Sequence, residues 1–160
     1  MLEIVLRNRQ RAARVDARLL RRIVRSLLEN NLDVTSGALG VHLVEDRRMT
    51  ELNEKHLRHG GTTDVITFNY LDGNDQGTSV AGDVFICVPE ALRQASRFRD
   101  PWQSELVRYI VHGILHLRGY DDQTPAARRK MKREETRLLK DLSGRFRVRG
   151  VGRAIGSLRG

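Results

Sequence analysis

Two histidines in residues 109–122, His112 and His116, are separated by the spacing of one helical turn. On an α-helix, residues i and i+4 share a face and lie about 6 Å apart along the axis, so both imidazoles can reach one ion. Gly119 follows where a helix can end in a left-handed turn, and the returning chain brings Asp122 towards the same ion. The spacing therefore predicts a metal site with His112, His116 and Asp122 as ligands.

Zinc is the metal that this set of ligands favours. It accepts imidazole nitrogen and carboxylate oxygen in tetrahedral geometry, and catalytic zinc sites leave the fourth position to water. The chain has one cysteine, Cys87, which excludes an internal disulfide and a zinc site of four cysteines. The pattern matches the metzincin spacing, with Asp122 in the place of the third histidine. We expect one zinc ion that serves hydrolytic chemistry.

The elements that must position these ligands follow from periodicity and from turn residues. Segments rich in β-branched and other apolar residues predict four strands. They are residues 2–7, 38–44, 64–70 and 82–88. Helical spacing and N-terminal signals predict helices, of which the longest carries both histidines. They begin at Asp16, near Met49, at Pro89, at Trp102 and at Thr124–Pro125, and the last runs to about residue 142.

Length and composition indicate a single domain with one core, since the chain has 160 residues and 39 % apolar content. No apolar run is long enough to cross a bilayer, and the N-terminus is strand-like where a secretory leader would be cationic. We therefore expect a cytoplasmic protein with no membrane association. Residues 144–160 lack amphipathic periodicity, which predicts a domain over 1–143 and a basic, flexible tail over 144–160.

Charge is unevenly distributed along the chain, whose net charge is +9. Residues 1–26 hold eight arginines and two acidic residues, whereas residues 27–124 hold nine basic and fifteen acidic residues. Residues 125–160 hold twelve basic and three acidic residues. Clustered cations bind phosphate backbones by releasing counterions, without reading sequence. The basic charge at both ends of the chain would suit a polyanionic partner. Basic side chains that face solvent on helix surfaces account for this charge equally well.

Four blocks of residues, in this order along the chain, match one known family. They are Leu52-Asn53, Thr63-Asp64-Val65-Ile66-Thr67-Phe68, Gly82-Asp83-Val84 and His112-Gly113-x-Leu115-His116-Leu117-x-Gly119-Tyr120-Asp121. Over about residues 38–123 the chain resembles the YbeY-type endoribonucleases, which are bacterial rRNA maturation factors. The resemblance implies a single α+β domain in which a small mixed four-stranded sheet packs with about five helices and a central helix carries the metal site.

The same resemblance implies a function and partners. The function is zinc-dependent, single-strand-specific cleavage of RNA, in maturation of the 16S rRNA 3′ end and in ribosome quality control. The partners are single-stranded RNA, expected to be rRNA of the small ribosomal subunit, and a ribosomal or GTPase protein.

The chain departs from the family pattern at two positions. The family usually has a third histidine where this chain has Asp122, so the ion would have two neutral ligands and one anion. Many members place a functional arginine at the position of Leu57, whereas here Arg58 follows one residue later. Arg58 is the candidate catalytic residue, because a planar guanidinium binds phosphate with two parallel hydrogen bonds. A solvated turn residue is the alternative interpretation.

Two other functions remain open. A metalloprotease would carry Glu directly after the first histidine, and Gly113 in that place argues against it. A non-catalytic RNA- or ribosome-binding module would hold a structural zinc, which usually has four protein ligands. His56, His59 and Asp121 are the candidates for a fourth ligand.

Other side chains receive weaker interpretations. A groove for single-stranded RNA needs aromatic side chains, for which Tyr70, Phe85 and Trp102 are candidates, although core packing suits them better. Asp64 and Asp83 each precede or open a strand, where a carboxylate often accepts hydrogen bonds from nearby backbone. We interpret both of these carboxylates as structural.

Overall fold

The computed structural model describes residues 1–57, 64–71 and 77–155. Six strands and five α-helices alternate along these residues. They are β1 (Leu2–Arg9), β2 (Ala13–Val15), α1 (Ala17–Ser26), β3 (Ser36–Val44), α2 (Asp46–Leu52), β4 (Val65–Asn69), β5 (Ser79–Cys87), α3 (Val88–Phe98), α4 (Trp102–Leu117), α5 (Pro125–Arg145) and β6 (Gly152–Ala154). Wider turns of π-helix extend α1 over Leu27–Asn31 and α2 over Asn53–Leu57, and a 3-10 turn over Val148–Val151 precedes β6.

Four strands form a mixed sheet in the order β1-β3-β5-β4. The first three run parallel, and β4 runs antiparallel to β5. In β3 the side chains of Leu39, Val41 and Leu43 are buried, while the residues between them are only partly buried. This alternation is expected because successive side chains of a strand point to opposite faces of the sheet. The expected α+β fold, with a small mixed four-stranded sheet and about five helices, is confirmed.

One face of the sheet carries the main core. Helix α1 packs against β1, α4 packs against β4 and β5, and their apolar side chains form one cluster. Gly113 lies where α4 approaches the sheet most closely, since a Cβ atom there would lie 2.4 Å from Cγ1 of Val84. On the other face, Met49 and Leu52 of α2 form a small second cluster with Ile66. The helix that carries both histidines is thus fixed directly to the sheet.

The chain after Gly144, for which we expected a loose basic tail, is packed as far as β6. Helix α5 continues to Arg145, and beyond it Val148 and Val151 are buried in the main core. Strand β6 then pairs antiparallel with β2. The segment shows no periodicity because two valines and a three-residue strand are too short to establish one. Residues 156–160 lie outside the described residues, and the domain boundary at residue 143 stays a prediction.

None of the described helices combines the length and the apolar character that crossing a membrane demands.

Candidate metal centre

Helix α4 presents both histidines on one side, as their spacing predicted. The Nε2 atoms of His112 and His116 lie 3.0 Å apart. One carboxylate oxygen of Asp122, Oδ2, lies 3.9 Å from Nε2 of His112 and 3.7 Å from Nε2 of His116. The structure therefore brings the three predicted ligands together, with one donor atom from each within 4.8 Å of the others.

The turn after α4 returns the chain to the histidines. Gly119 has a φ of +96°, in the left-handed region that favours glycine. The amide of Gly119 donates to the carbonyl of His116, and the amide of Tyr120 donates to the carbonyl of Leu115. These bonds satisfy carbonyls at the end of the helix and reverse the chain, which places Asp122 beside the imidazoles. The predicted left-handed turn at Gly119 is present.

The other nitrogen of each imidazole is held by a partner. Nδ1 of His112 donates to Oε2 of Glu135 at 2.5 Å, and Nδ1 of His116 donates to the carbonyl oxygen of Tyr120 at 3.0 Å. With both protons at Nδ1, each neutral ring directs the lone pair of Nε2 at the other ring. Two lone pairs at 3.0 Å repel each other unless a proton or a cation lies between them, so this pair can share either a proton or a metal ion.

The distances between donor atoms also suit zinc. Bonds of about 2.0–2.1 Å in tetrahedral geometry place ligand atoms about 3.3 Å apart. The three separations here, 3.0, 3.7 and 3.9 Å, bracket that value. The hydrogen bonds from the Nδ1 atoms are those that metal-binding histidines usually make to a carboxylate or a carbonyl, which orient the rings. The residues present therefore fit one zinc ion.

The two imidazoles have shifted pKa values of opposite sign. Burial lowers the pKa of His112, but the hydrogen bond and the charge of Glu135 outweigh it, so that the pKa is raised. Burial lowers the pKa of His116, and the neighbouring charge of His112 lowers it further. The two adjacent imidazoles thus do not both favour the protonated form.

A cleft of about 650 Å³ opens beside the imidazole of His112. Its walls come from α3, α4, α5 and the residue before β4, and the side chain of Asp122, which also lines it, is 47 % exposed. Asp64, which we interpreted as structural, lines this cleft, and its charge contributes to the raised pKa of His112. Solvent can therefore reach the ligands from one side.

Sequence reasoning missed Glu135, which holds His112 from another helix. Its side chain is buried, and Arg108 lies 3.8 Å from its second oxygen. The sequence held a signal for it. The buried face of α5 is formed by Met131, Glu135 and Leu138, which have helical spacing, and Glu135 is the charged residue in this series. A carboxylate on such a face needs a partner.

Of the other predicted residues Arg58, His56, His59 and Asp121, the structure describes the side chain of Asp121 alone. Arg58 and His59 are outside the described residues, as is the side chain of His56. Asp121, a candidate fourth ligand, is exposed and accepts a hydrogen bond from the amide of Gln123. None of these residues adds a fourth donor to the cluster in the part of the chain that the structure describes.

The three aromatic candidates do not line the cleft. Tyr70 donates its hydroxyl proton to Asp83 on the sheet face that α4 leaves open, and Phe85 stacks on His42 with ring centres 4.3 Å apart. Trp102 packs against the main core. Asp83 also lies 2.8 Å from Nε2 of His42, which agrees with a structural role for both residues.

The family of this chain follows from comparison with known proteins. The family model described as Endoribonuclease YbeY matches residues 5–143 of the chain. The chain belongs to the YbeY family. The match includes the four blocks that carried the resemblance, and it extends to residues on both sides of them.

Members of the YbeY family are about one-third identical to the chain over the residues that align. Endoribonuclease YbeY of Syntrophus aciditrophicus is 32% identical over 147 residues, which cover 89% of this chain and 91% of that protein. Endoribonuclease YbeY of Bacteroides fragilis is 36% identical over 103 residues, which cover 64% of this chain and 71% of that protein. The expected membership of an endoribonuclease family is thus confirmed.

A solved structure shares the YbeY-like fold. The solution structure of TM1509 from Thermotoga maritima superposes with a TM-score of 0.64 at 25% sequence identity, and the match covers 92% of each chain. The similarity therefore extends over nearly the whole chain, beyond the helix that carries His112 and His116.

Proposed function

We propose that this YbeY family member is a zinc-dependent endoribonuclease that cleaves single-stranded RNA. Its substrate would be rRNA of the small ribosomal subunit in the cytoplasm, at the 3′ end of 16S rRNA, with a further role in ribosome quality control. A ribosomal or GTPase protein would direct it to that RNA. The observation that carries the proposal is the convergence of three metal-binding donors beside an open cleft, and the name endoribonuclease borne by the relatives supports it.

Each residue of the centre has a defined part. His112, His116 and Asp122 would hold the ion, with Glu135 and the Tyr120 carbonyl fixing the two imidazoles. Zinc, when bound, would activate water and stabilise charge on the phosphate oxygens. Such a reaction also needs an acid that gives a proton to the leaving oxygen. A carboxyl group with a raised pKa suits this role, because more of it is protonated near neutral pH.

Glu105 is our candidate for that acid. It lines the cleft, and burial raises the pKa of its carboxyl group, against the opposing charge of Arg108. Asp64 lines the same cleft and would orient the attacking water or the 2′-hydroxyl. Arg58 remains our candidate for phosphate recognition, on the chemistry of its guanidinium group and its sequence position next to the family arginine.

A structural zinc in a binding module is the second candidate function. Structural sites are usually closed by four protein ligands, whereas three converge among the described residues, and Asp122 is about half exposed. These observations favour catalysis. Peptide hydrolysis is disfavoured, because the sheet leaves no room for the catalytic Glu of metalloproteases at Gly113, where even a Cβ would contact Val84.

Substrate preference tests the proposal. Zinc-loaded protein would be incubated with a precursor of 16S rRNA, a single-stranded RNA, its duplex with a complementary strand, and casein. We expect cleavage near the precursor 3′ end and within the single strand, little cleavage of the duplex, and no peptide release. Zinc bound at one ion per chain without RNA cleavage would support the structural site, and peptide release would support a protease.

A further inference from the structure

Phe98 and Tyr109 both line the metal cleft, and of the two Phe98 is exposed whereas Tyr109 is buried. We propose that Phe98 is a stacking platform for one unpaired base of the RNA, and that Arg128 and Lys132 on α5 bind the flanking phosphates. This inference rests on the proposed function and names the surface that would hold the substrate of the same site.

Phe98 is the last residue of α3, and its side chain is exposed. Single exposed apolar side chains are ordinary on protein surfaces, but this ring lines the cleft that contains His112 and Asp122. Arg99 then adopts a left-handed conformation that ends the helix, and the amide of Asp100 donates to the carbonyl of Ala95. The ring thus projects from an ordered helix end, where a base could stack without reordering a loop.

The opposite wall of the cleft is cationic. Arg128 and Lys132, one turn apart on α5, both line it and are exposed. Nη1 of Arg128 donates to the carbonyl of Asp122 at 3.2 Å, which fixes this guanidinium next to a metal ligand. Lys132 makes no ion pair with another described residue, and its ammonium group is available to a phosphate. Beyond the cleft, Arg129 and Arg133 continue the basic surface of α5.

The acidic residues of the cleft set the path of the strand. Asp64, just before β4, and Asp100, just after α3, line the cleft. Their charges repel phosphates, so the backbone would follow α5 while the base, which is uncharged, lies towards Phe98. A base can stack on Phe98 only if one of its faces is free, which is not so inside a duplex. The arrangement thereby explains a preference for single strands.

Binding of a labelled DNA single strand to the zinc-loaded protein tests the inference apart from RNA cleavage. The probe is checked for integrity afterwards, and its dissociation constant is measured by fluorescence anisotropy. Phe98→Ala is expected to weaken binding about 5- to 150-fold, as loss of one stacked base does, whereas Phe98→Tyr keeps it. Tyr70→Ala is the matched control, since Tyr70 is 63% exposed against 64% for Phe98 but lies on the open sheet face.

The cationic wall has its own control on the same helix. Lys132→Ala should weaken binding and reduce the slope of log affinity against log salt by about 1. Lys140→Ala removes another exposed lysine of α5, outside the cleft, and should change neither the affinity nor the slope. The stacking platform is refuted if Phe98→Ala binds the strand as tightly as wild type, or if Tyr70→Ala weakens binding as much as Phe98→Ala does. The phosphate contact is refuted if Lys132→Ala leaves the salt slope unchanged.

Cleavage kinetics separate this inference from the proposed function. With RNA as substrate, Phe98→Ala is expected to raise KM by a factor similar to the loss in binding and to leave kcat nearly unchanged. An unchanged KM would overturn the inference and leave the endoribonuclease intact. If wild-type protein binds the strand through Phe98 but does not cleave RNA, the proposed function is overturned and the inference about Phe98 stands.

Discussion

The imidazole of His112 is oriented by Glu135, a carboxylate 23 residues further along the chain. Such partners fix the ring and raise the basicity of the metal-binding nitrogen, and their loss typically weakens metal affinity 10- to 100-fold. We expect Glu135→Gln, which keeps the shape and removes the charge, to weaken zinc binding within about that range. Competition with a chromophoric zinc chelator measures it.

The neighbouring acid provides the control for that variant. Glu134 pairs with Arg137 on α5 and has no contact with either imidazole. Glu134→Gln should therefore bind zinc as wild type does. Equal zinc affinity in Glu135→Gln and Glu134→Gln would show that the carboxylate does not act on the metal centre.

Cys87 shows a different consequence of burial at the residue scale. Burial raises the pKa of its thiol to about 12, and its Sγ donates to Asp46 at 3.2 Å. Because the raised pKa lies far above pH 8, almost no thiolate forms there in the folded protein. We expect no reaction with a chromogenic disulfide reagent at pH 8 until denaturant is added. Rapid reaction of the native protein would contradict the buried thiol.

At the scale of elements, the packing of α4 on the sheet depends on one glycine. A Cβ at Gly113 would lie 2.4 Å from Val84 and 3.2 Å from Val65, so Gly113→Ala must displace the helix or the strands. Overpacking of a core typically costs about 1–3 kcal/mol. We expect a loss of that size in the free energy of unfolding, measured by urea denaturation.

Gly144 is the matched control for this substitution. It lies in α5 with nothing within 4 Å of an added Cβ. Since alanine favours a helix over glycine by up to about 1 kcal/mol, Gly144→Ala should leave the protein as stable as wild type or more so. A Gly113→Ala protein of unchanged stability would show that α4 does not pack as closely as described.

Local sequence signals predicted those elements whose environment is uniform along their length. Strand β3 and helix α4 have regular patterns because one face of β3 is buried from Leu39 to Leu43 and one side of α4 is buried from Leu106 to Leu117. Strands β2 and β6 were missed because each has three residues and depends on the other for its hydrogen bonds. The metal ligands were predicted because all three lie within eleven residues, whereas Glu135 and Phe98 reach the site only through tertiary packing.

At the scale of the whole molecule, the C-terminal segment closes the fold. Val151 is fully buried in the core, and its carbonyl accepts a hydrogen bond from Asp16 at the start of α1. Val151→Ala should lower the free energy of unfolding by about 1–3 kcal/mol, because it removes buried methyl groups and leaves a cavity. Urea denaturation checks this, with Arg149→Ala, an exposed change in the same turn, as control. Equal stabilities would mean that residues 148–154 do not pack on the core.

The central claim is that one metal ion held by His112, His116 and Asp122 makes this chain a ribonuclease. The most direct measurement is the cleavage of a labelled single-stranded RNA by purified wild-type protein, by protein stripped with a chelator and re-supplied with zinc, and by His116→Ala. We predict that stripping abolishes cleavage, that zinc restores it, and that His116→Ala neither binds zinc tightly nor cleaves. Equal cleavage in all samples, or no cleavage by zinc-loaded wild type, would contradict the account.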